Sequence, residues 1–91
     1  MIRARMEQHH RRLLPGPALY AILEGEFRRR RPAICTGCRV PLPYWRRPPD
    51  DVSANWFIGT PSECPHGCHV LIAEILTKLW TQYDIDREPL Q

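Results

Sequence analysis

The chain is poor in serine, in glycine-rich turns and in long apolar runs, and each shortage excludes something. Ser53 and Ser62 are its only serines, and neither sits in a nucleophile motif, which argues against a serine triad. Five glycines in 91 residues form no phosphate-cradling loop, and no HExxH sequence occurs. No stretch is long and apolar enough to cross a membrane. Met1 to Leu14 carries charge without a continuous apolar segment, so it does not read as a secretory signal. Its arginines are a feature of organelle-targeting peptides, but it has no serine and Glu7 interrupts the pattern. A cytoplasmic, non-enzymatic protein is the expectation.

What is present is cysteine, in two close pairs. Cys35-Thr36-Gly37-Cys38 and Cys64-Pro65-His66-Gly67-Cys68 hold all four cysteines of the chain. Soft thiolates supplied in closely spaced pairs suit a tetrahedral zinc ion, and the intervening residues are enough for a β-hairpin that brings the pairs together. So short a chain buries only a modest core, which gives a metal staple a clear physical use. In a reducing compartment, metal binding is also favoured over disulfides. The ligand set is read as Cys35, Cys38, Cys64 and Cys68 around one zinc ion. His66 and His69 flank Cys68, and either would turn the set into three cysteines and one histidine. His9 and His10 have no cysteine near them and read as solvated.

Competing cysteine chemistries fit less well. A redox dithiol at Cys35 and Cys38 would lie outside any βαβ pattern and leave the second pair unexplained. Cys64 to His69 resembles a c-type haem attachment motif with one residue too many. An iron–sulfur cluster also takes four cysteines, and spacing alone does not separate it from zinc. A site closed by four thiolates keeps no open position for water, so the zinc reads as structural rather than catalytic. Glu63 and Glu74, the only carboxylates near the second pair, read as a residue preceding a helix and a solvent-facing one.

Apolar periodicity outlines the elements. Leu19, Ile22, Leu23 and Phe27 recur at helical spacing, which predicts a helix from Ala18 to about Arg29. Pro17 suits its first turn and Pro32 stops it. Val40 to Trp45 and Asn55 to Ile58 read as two extended segments of a loose hairpin. Ile72, Ile75, Leu76, Leu79 and Tyr83 predict an amphipathic helix over His69 to Tyr83. Cys64 is expected to cap that helix with Pro65 in its first position, and Gly37 to permit a tight turn between Cys35 and Cys38. The division expected is a flexible basic segment over 1–14, one zinc-binding α+β domain over 15–84 and a frayed acidic tail over 85–91.

A knuckle, a hairpin, a second ligand pair and an immediate helix, spanning Cys35 to Tyr83, resemble the treble-clef and zinc-ribbon groups of small zinc domains. The treble clef is the closer likeness, because a helix follows the second pair directly. Two features depart from those groups. Arg39 stands where the knuckle commonly has glycine, and three residues rather than two separate Cys64 from Cys68.

Charge is uneven along the chain. Residues 1–47 hold eleven arginines against Glu7, Glu24 and Glu26, whereas residues 48–91 hold Lys78 and Arg87 against seven acids. Arg28, Arg29, Arg30 and Arg31 lead into the first cysteine pair, and Tyr44, Trp45, Arg46 and Arg47 set rings beside cations. Arginines that hold phosphates beside rings that stack on bases are the pattern of nucleic-acid binding. Two plainer readings stand beside it. Arg31 and Arg39 would balance the net charge of a four-thiolate zinc site, and Trp45 and Trp56 would be core anchors of the hairpin. A protein partner or a homodimer is the alternative function, suggested by Leu71 and Trp80 lying off the main stripe of the last helix.

Overall fold

The computed structural model describes residues 11–61 and 64–86. Residues 1–10, Ser62, Glu63 and the tail from Arg87 lie outside the described residues, and with them the expectations placed on His9, His10 and Glu63. The architecture is α+β. Strand β1 (Arg12–Pro15) leads into helix α1 (Gly16–Arg30), followed by β2 (Pro43–Trp45), β3 (Trp56–Ile58), α2 (Cys68–Trp80) and β4 (Tyr83–Asp86).

Helix α1 forms where the periodicity predicts it. Pro15 caps it in extended conformation, and Pro17 sits in the first turn, where a missing N–H costs nothing. Leu19, Leu23 and Phe27 recur every four residues and are buried. At its end the Arg31 N–H reaches the Phe27 carbonyl at 2.8 Å, and Pro32 follows. Helix α2 buries Ile72, Ile75, Leu76 and Leu79, while Ala73, Glu74, Thr77 and Lys78 face outward. The two helices are joined at their polar rims by Glu26, which pairs with Arg29 on its own helix at 3.1 Å and with Lys78 of α2 at 3.4 Å. Burial opposes the charge on Glu26, but Lys78 and Arg29 outweigh it and hold the carboxyl below its ordinary range.

The strands form two two-stranded sheets. β2 and β3 pair antiparallel, with Tyr44 opposite Phe57 and Trp45 opposite Trp56, as the hairpin reading expected. The second sheet departs from the sequence reading. β1 and β4 run parallel, pairing Arg12 with Tyr83 and Leu14 with Ile85. Residues 12–14 therefore belong to a strand rather than to a loose amino-terminal segment or marginal helix. Tyr83 is a strand residue too, not the last residue of α2.

The helix stops early because its final turn tightens. Thr81 N–H bonds Lys78 O at 3.2 Å and Gln82 N–H bonds Leu79 O at 3.0 Å, both spanning three residues rather than four. The Arg11 Nε then takes the Trp80 carbonyl at 2.6 Å, satisfying one orphan acceptor of the helix end. A neighbouring guanidinium nitrogen of Arg11 reaches Val52 O at 2.6 Å, tying the loop after β2 to the same place.

Side chains join the sheets. Asn55 donates its amide nitrogen to Ile85 O at 3.1 Å and accepts the Ile85 N–H at 2.7 Å, copying the two bonds of a strand pair. Both indoles of the core are satisfied as well: Trp56 Nε1 donates to Tyr83 O at 2.9 Å and Trp80 Nε1 to Trp56 O at 3.0 Å. Trp56 has no exposed surface and anchors a core that contains Phe27, Leu19, Leu23 and the α2 stripe. The anchor reading of Trp56 is thus the one the fold adopts, with Trp45 packed partly buried against the same core.

Candidate metal centre

The two cysteine pairs meet where α1 ends and α2 begins. Their four sulfurs all lie within 4.8 Å of one another. Cys35 Sγ is 3.4 Å from Cys38, 3.6 Å from Cys64 and 3.3 Å from Cys68. Those separations are far beyond a sulfur–sulfur bond, and all four cysteines are free. They approach the edge of a tetrahedron drawn around a single zinc ion, about 3.8 Å for sulfurs at a Zn–S distance of about 2.3 Å. Clusters that spread four cysteines over two or four irons need the sulfurs wider apart. The donor set and its spacing therefore fit one tetrahedral ion, and such four-thiolate sites commonly hold zinc.

The second pair is held by backbone. Cys64-Pro65-His66-Gly67 makes a turn closed by Gly67 N–H to Cys64 O at 3.0 Å, and Gly67 adopts φ 84°, the left-handed region. Helix α2 starts only at Cys68. The expectation that Cys64 caps the helix and Pro65 opens it is corrected: Gly67 is the cap, and Pro65 lies inside the turn. The turn aims amides at sulfur, with the His66 N–H 3.4 Å from Cys64 Sγ. Hydrogen bonding from the Cys68 and His66 amides brings the Cys64 thiol down to about 6. Burial pushes the Cys68 thiol up, with further upward contributions from the neighbouring sulfurs.

The first pair is held more loosely. Cys35 N–H bonds Pro32 O at 3.0 Å, but Gly37 has no positive φ, and a methyl added there would meet open space. Gly37 is therefore not required for the turn, contrary to the expectation. Cys35, Cys64 and Cys68 are buried, while Cys38 is half-exposed. Hydrogen bonding to Cys35, then to Cys64, lifts the Cys38 thiol to about 11. Without a cation the cluster shares protons among its sulfurs, and a bound divalent ion would replace them.

The other predicted site residues are placed as follows. His66 and His69 are exposed and lie outside the group of four sulfurs. Of the four-arginine run, Arg28 pairs with Glu24 at 3.7 Å, Arg29 with Glu26 at 3.1 Å and Arg30 with Glu74 at 3.0 Å. Arg31 lies 6.0 Å from the Phe27 ring centre. Arg46 stacks 4.5 Å above Phe57, and that ring stacks in turn on Trp80 at 5.5 Å. Trp45 is half-buried and Tyr44 is 48 % exposed, with Tyr44 edge-on to Phe57 at 6.4 Å. The eight residues therefore form no single surface: Arg46 and Trp45 are packing groups, whereas Arg47 and Tyr44 are exposed. Sequence reasoning missed Arg11 and Asn55, whose partners are backbone groups far along the chain. Gly67 carried a legible signal, a glycine just before a helical apolar stripe. No protein-family model, no curated protein and no solved structure matches the chain.

Proposed function

We propose that the chain is a non-catalytic binding module, stapled by one structural zinc ion and contacting nucleic acid through its exposed arginines. The observation that carries the metal part is the enclosure of a single ion's volume by four sulfurs, three of them buried. With four thiolates bound, no coordination position is left for water, and so the zinc has no route to hydrolysis. Its role is to hold the end of α1 against the start of α2, as in treble-clef domains, where a metal joins a turn to a helix start.

The nucleic-acid part rests on arginine. Three members of the 28–31 run are offset by glutamates, but Arg31, Arg39 and Arg47 have no carboxylate partner among the described residues. Guanidiniums hold phosphate oxygens, and the exposed Tyr44 offers a ring for an unpaired base. Helix α2 is unsuited to reading a major groove, because its one cation, Lys78, is engaged with Glu26. Backbone contact with single strands, independent of sequence, is the mode this favours.

A protein partner is the second reading, favoured by one observation. Phe57, Ile58, Pro61, Ile72 and Leu76 line a mostly apolar groove of ≈ 420 Å³ between β3 and α2. Native mass spectrometry of the purified chain with short single-stranded oligonucleotides separates the two. One zinc and adducts that fade as salt rises support the nucleic-acid reading. One zinc, no adducts and a dimer support the second, and absence of metal overturns both.

A further inference from the structure

Arginines from two separate parts of the chain converge beside the metal centre. The end of α1 contributes Glu24, Phe27, Arg28 and Arg31, and the first cysteine turn with its exit contributes Thr36, Cys38, Arg39 and Val40. Together they line an open recess of ≈ 410 Å³ whose walls are mostly polar. We propose that Arg28, Arg31 and Arg39 in this recess form a seat for one phosphate group. The proposal rests on the nucleic-acid reading above and names the place where a backbone phosphate would sit.

The charge balance is the main argument. Gathering three guanidiniums is unfavourable unless anions accompany them. The only carboxylate in the recess is Glu24, and it meets Arg28 at 3.7 Å with the arginine exposed and the glutamate partly so, an arrangement that gains little. Arg29 and Arg30 are drawn away by Glu26 and Glu74, so the acids of the chain neutralise the opposite side of the helix end. Arg31 has an aromatic neighbour but no carboxylate, and Arg39 is exposed with no ion pair among the described residues.

Phosphate fits this set better than a carboxylate does. Three planar forks approaching from two segments offer donors in several directions, more than the two oxygens of a carboxylate can accept. The four thiolates around a divalent ion carry net negative charge and attract the same arginines. Of the four sulfurs, however, only half-exposed Cys38 reaches the recess wall. Arg28, Arg31 and Arg39 themselves line the recess.

The test uses the zinc-loaded full chain. Inorganic phosphate and, separately, a ten-residue oligothymidylate are titrated against it and followed by nitrogen-15 NMR, with oligonucleotide affinity measured across a salt series. Phosphate is expected to shift the Arg31 and Arg39 side-chain signals and the Thr36 amide. The pair R31Q and R39Q should abolish those shifts, weaken oligonucleotide binding at least about tenfold and flatten the log–log salt slope by about 0.7 per arginine removed. R39K keeps the charge but loses the fork, and should fall between. R47Q, outside the recess, should leave the phosphate shifts in place. Native mass spectra report whether each variant keeps its metal. If the double variant loses it, exposed Arg39 alone, as R39Q, carries the test.

Each outcome decides something. Phosphate shifts confined to the recess and lost in the variants support the seat, even where the oligonucleotide fails to bind, a result that would overturn the nucleic-acid reading alone. Oligonucleotide binding unchanged in the variants overturns the seat and leaves that reading intact. No phosphate shift in the recess, or phosphate shifts that persist in R39Q, shows that the arginines merely compensate the thiolates and overturns the seat.

Discussion

The two cysteine turns bring their thiols to one cluster by different means. In the second, a left-handed glycine and the start of a helix set the positions of Cys64 and Cys68, and amides already point at sulfur. In the first, Cys35 and Cys38 sit in irregular backbone between a helix end and a short strand, with Cys38 open to a polar recess. One turn is braced by a glycine cap, a helix start and amides aimed at sulfur; the other has a single backbone bond, from Cys35 N–H to Pro32 O. The thiol acidities follow the same division, with Cys64 lowered to about 6 and Cys38 raised to about 11. A turn that presents N–H groups favours the thiolate, whereas a turn that presents only neighbouring thiols favours the proton.

Removing the metal should break the comparison most widely. Structural zinc in small domains contributes on the order of 10 kcal/mol, so chelation should cost most of the stability. Amide exchange after chelation should rise first over residues 32–40 and last over Ile72 to Leu79, and simultaneous loss would contradict the division. Cys38→Ser should have the same effect as chelation. A C38S protein that retains both zinc and a cooperative melt would assign the fourth ligand elsewhere.

Acid should act next, and the two thiols fix its sign. The depressed pKa of Cys64 favours the fold above the ordinary thiol range, a contribution lost as pH falls through about 6. The raised pKa of Cys38 acts oppositely in the metal-free chain, favouring the fold below the ordinary range until pH rises through about 11. Zinc requires thiolates from both, so its binding should release protons and tighten with rising pH. Calorimetry in buffers of different ionisation enthalpy measures the release, and zinc binding without proton release would remove the shared-proton picture.

Glycine replacements sharpen the contrast at the level of backbone. Gly67→Ala adds a methyl that meets nothing within 4 Å, so its cost is conformational alone, about 1–2 kcal/mol for a left-handed alanine. Gly67→Asn should cost less, since asparagine tolerates that region. Gly37→Ala meets the same open space without a positive φ, and should leave stability unchanged or raise it by up to about 1 kcal/mol. Thermal melts of the zinc-loaded variants decide the order, and equal costs at the two glycines would erase the distinction.

Much of this was legible in advance for local reasons. Leu19, Leu23 and Phe27 mark a helix because a 3.6-residue period is a property of neighbours, and Pro32 ends it by steric necessity. The four cysteines announce a metal because their pairing in sequence already brings each pair's sulfurs close together. Tyr83 was misleading because it stands four residues after Leu79 and so continues the helical pattern, although Tyr-Asp-Ile-Asp also alternates like a strand. Nothing in either segment specifies that Arg12–Pro15 pairs with Tyr83–Asp86, because a parallel pair between the two ends of the described chain is made by partners about seventy residues apart.

The sequence by itself determined the four-cysteine cluster, the two helices and the hairpin, since each rests on residue type and on spacing along the chain. Only the tertiary structure decided how the arginines are used. Whether a guanidinium meets Glu74, the ring of Phe57, the carbonyl of Trp80 or open solvent depends on what distant segments bring beside it. Long, flexible cations carry no record of their partners in the local sequence, and the fold alone divides them between holding the structure together and facing solvent.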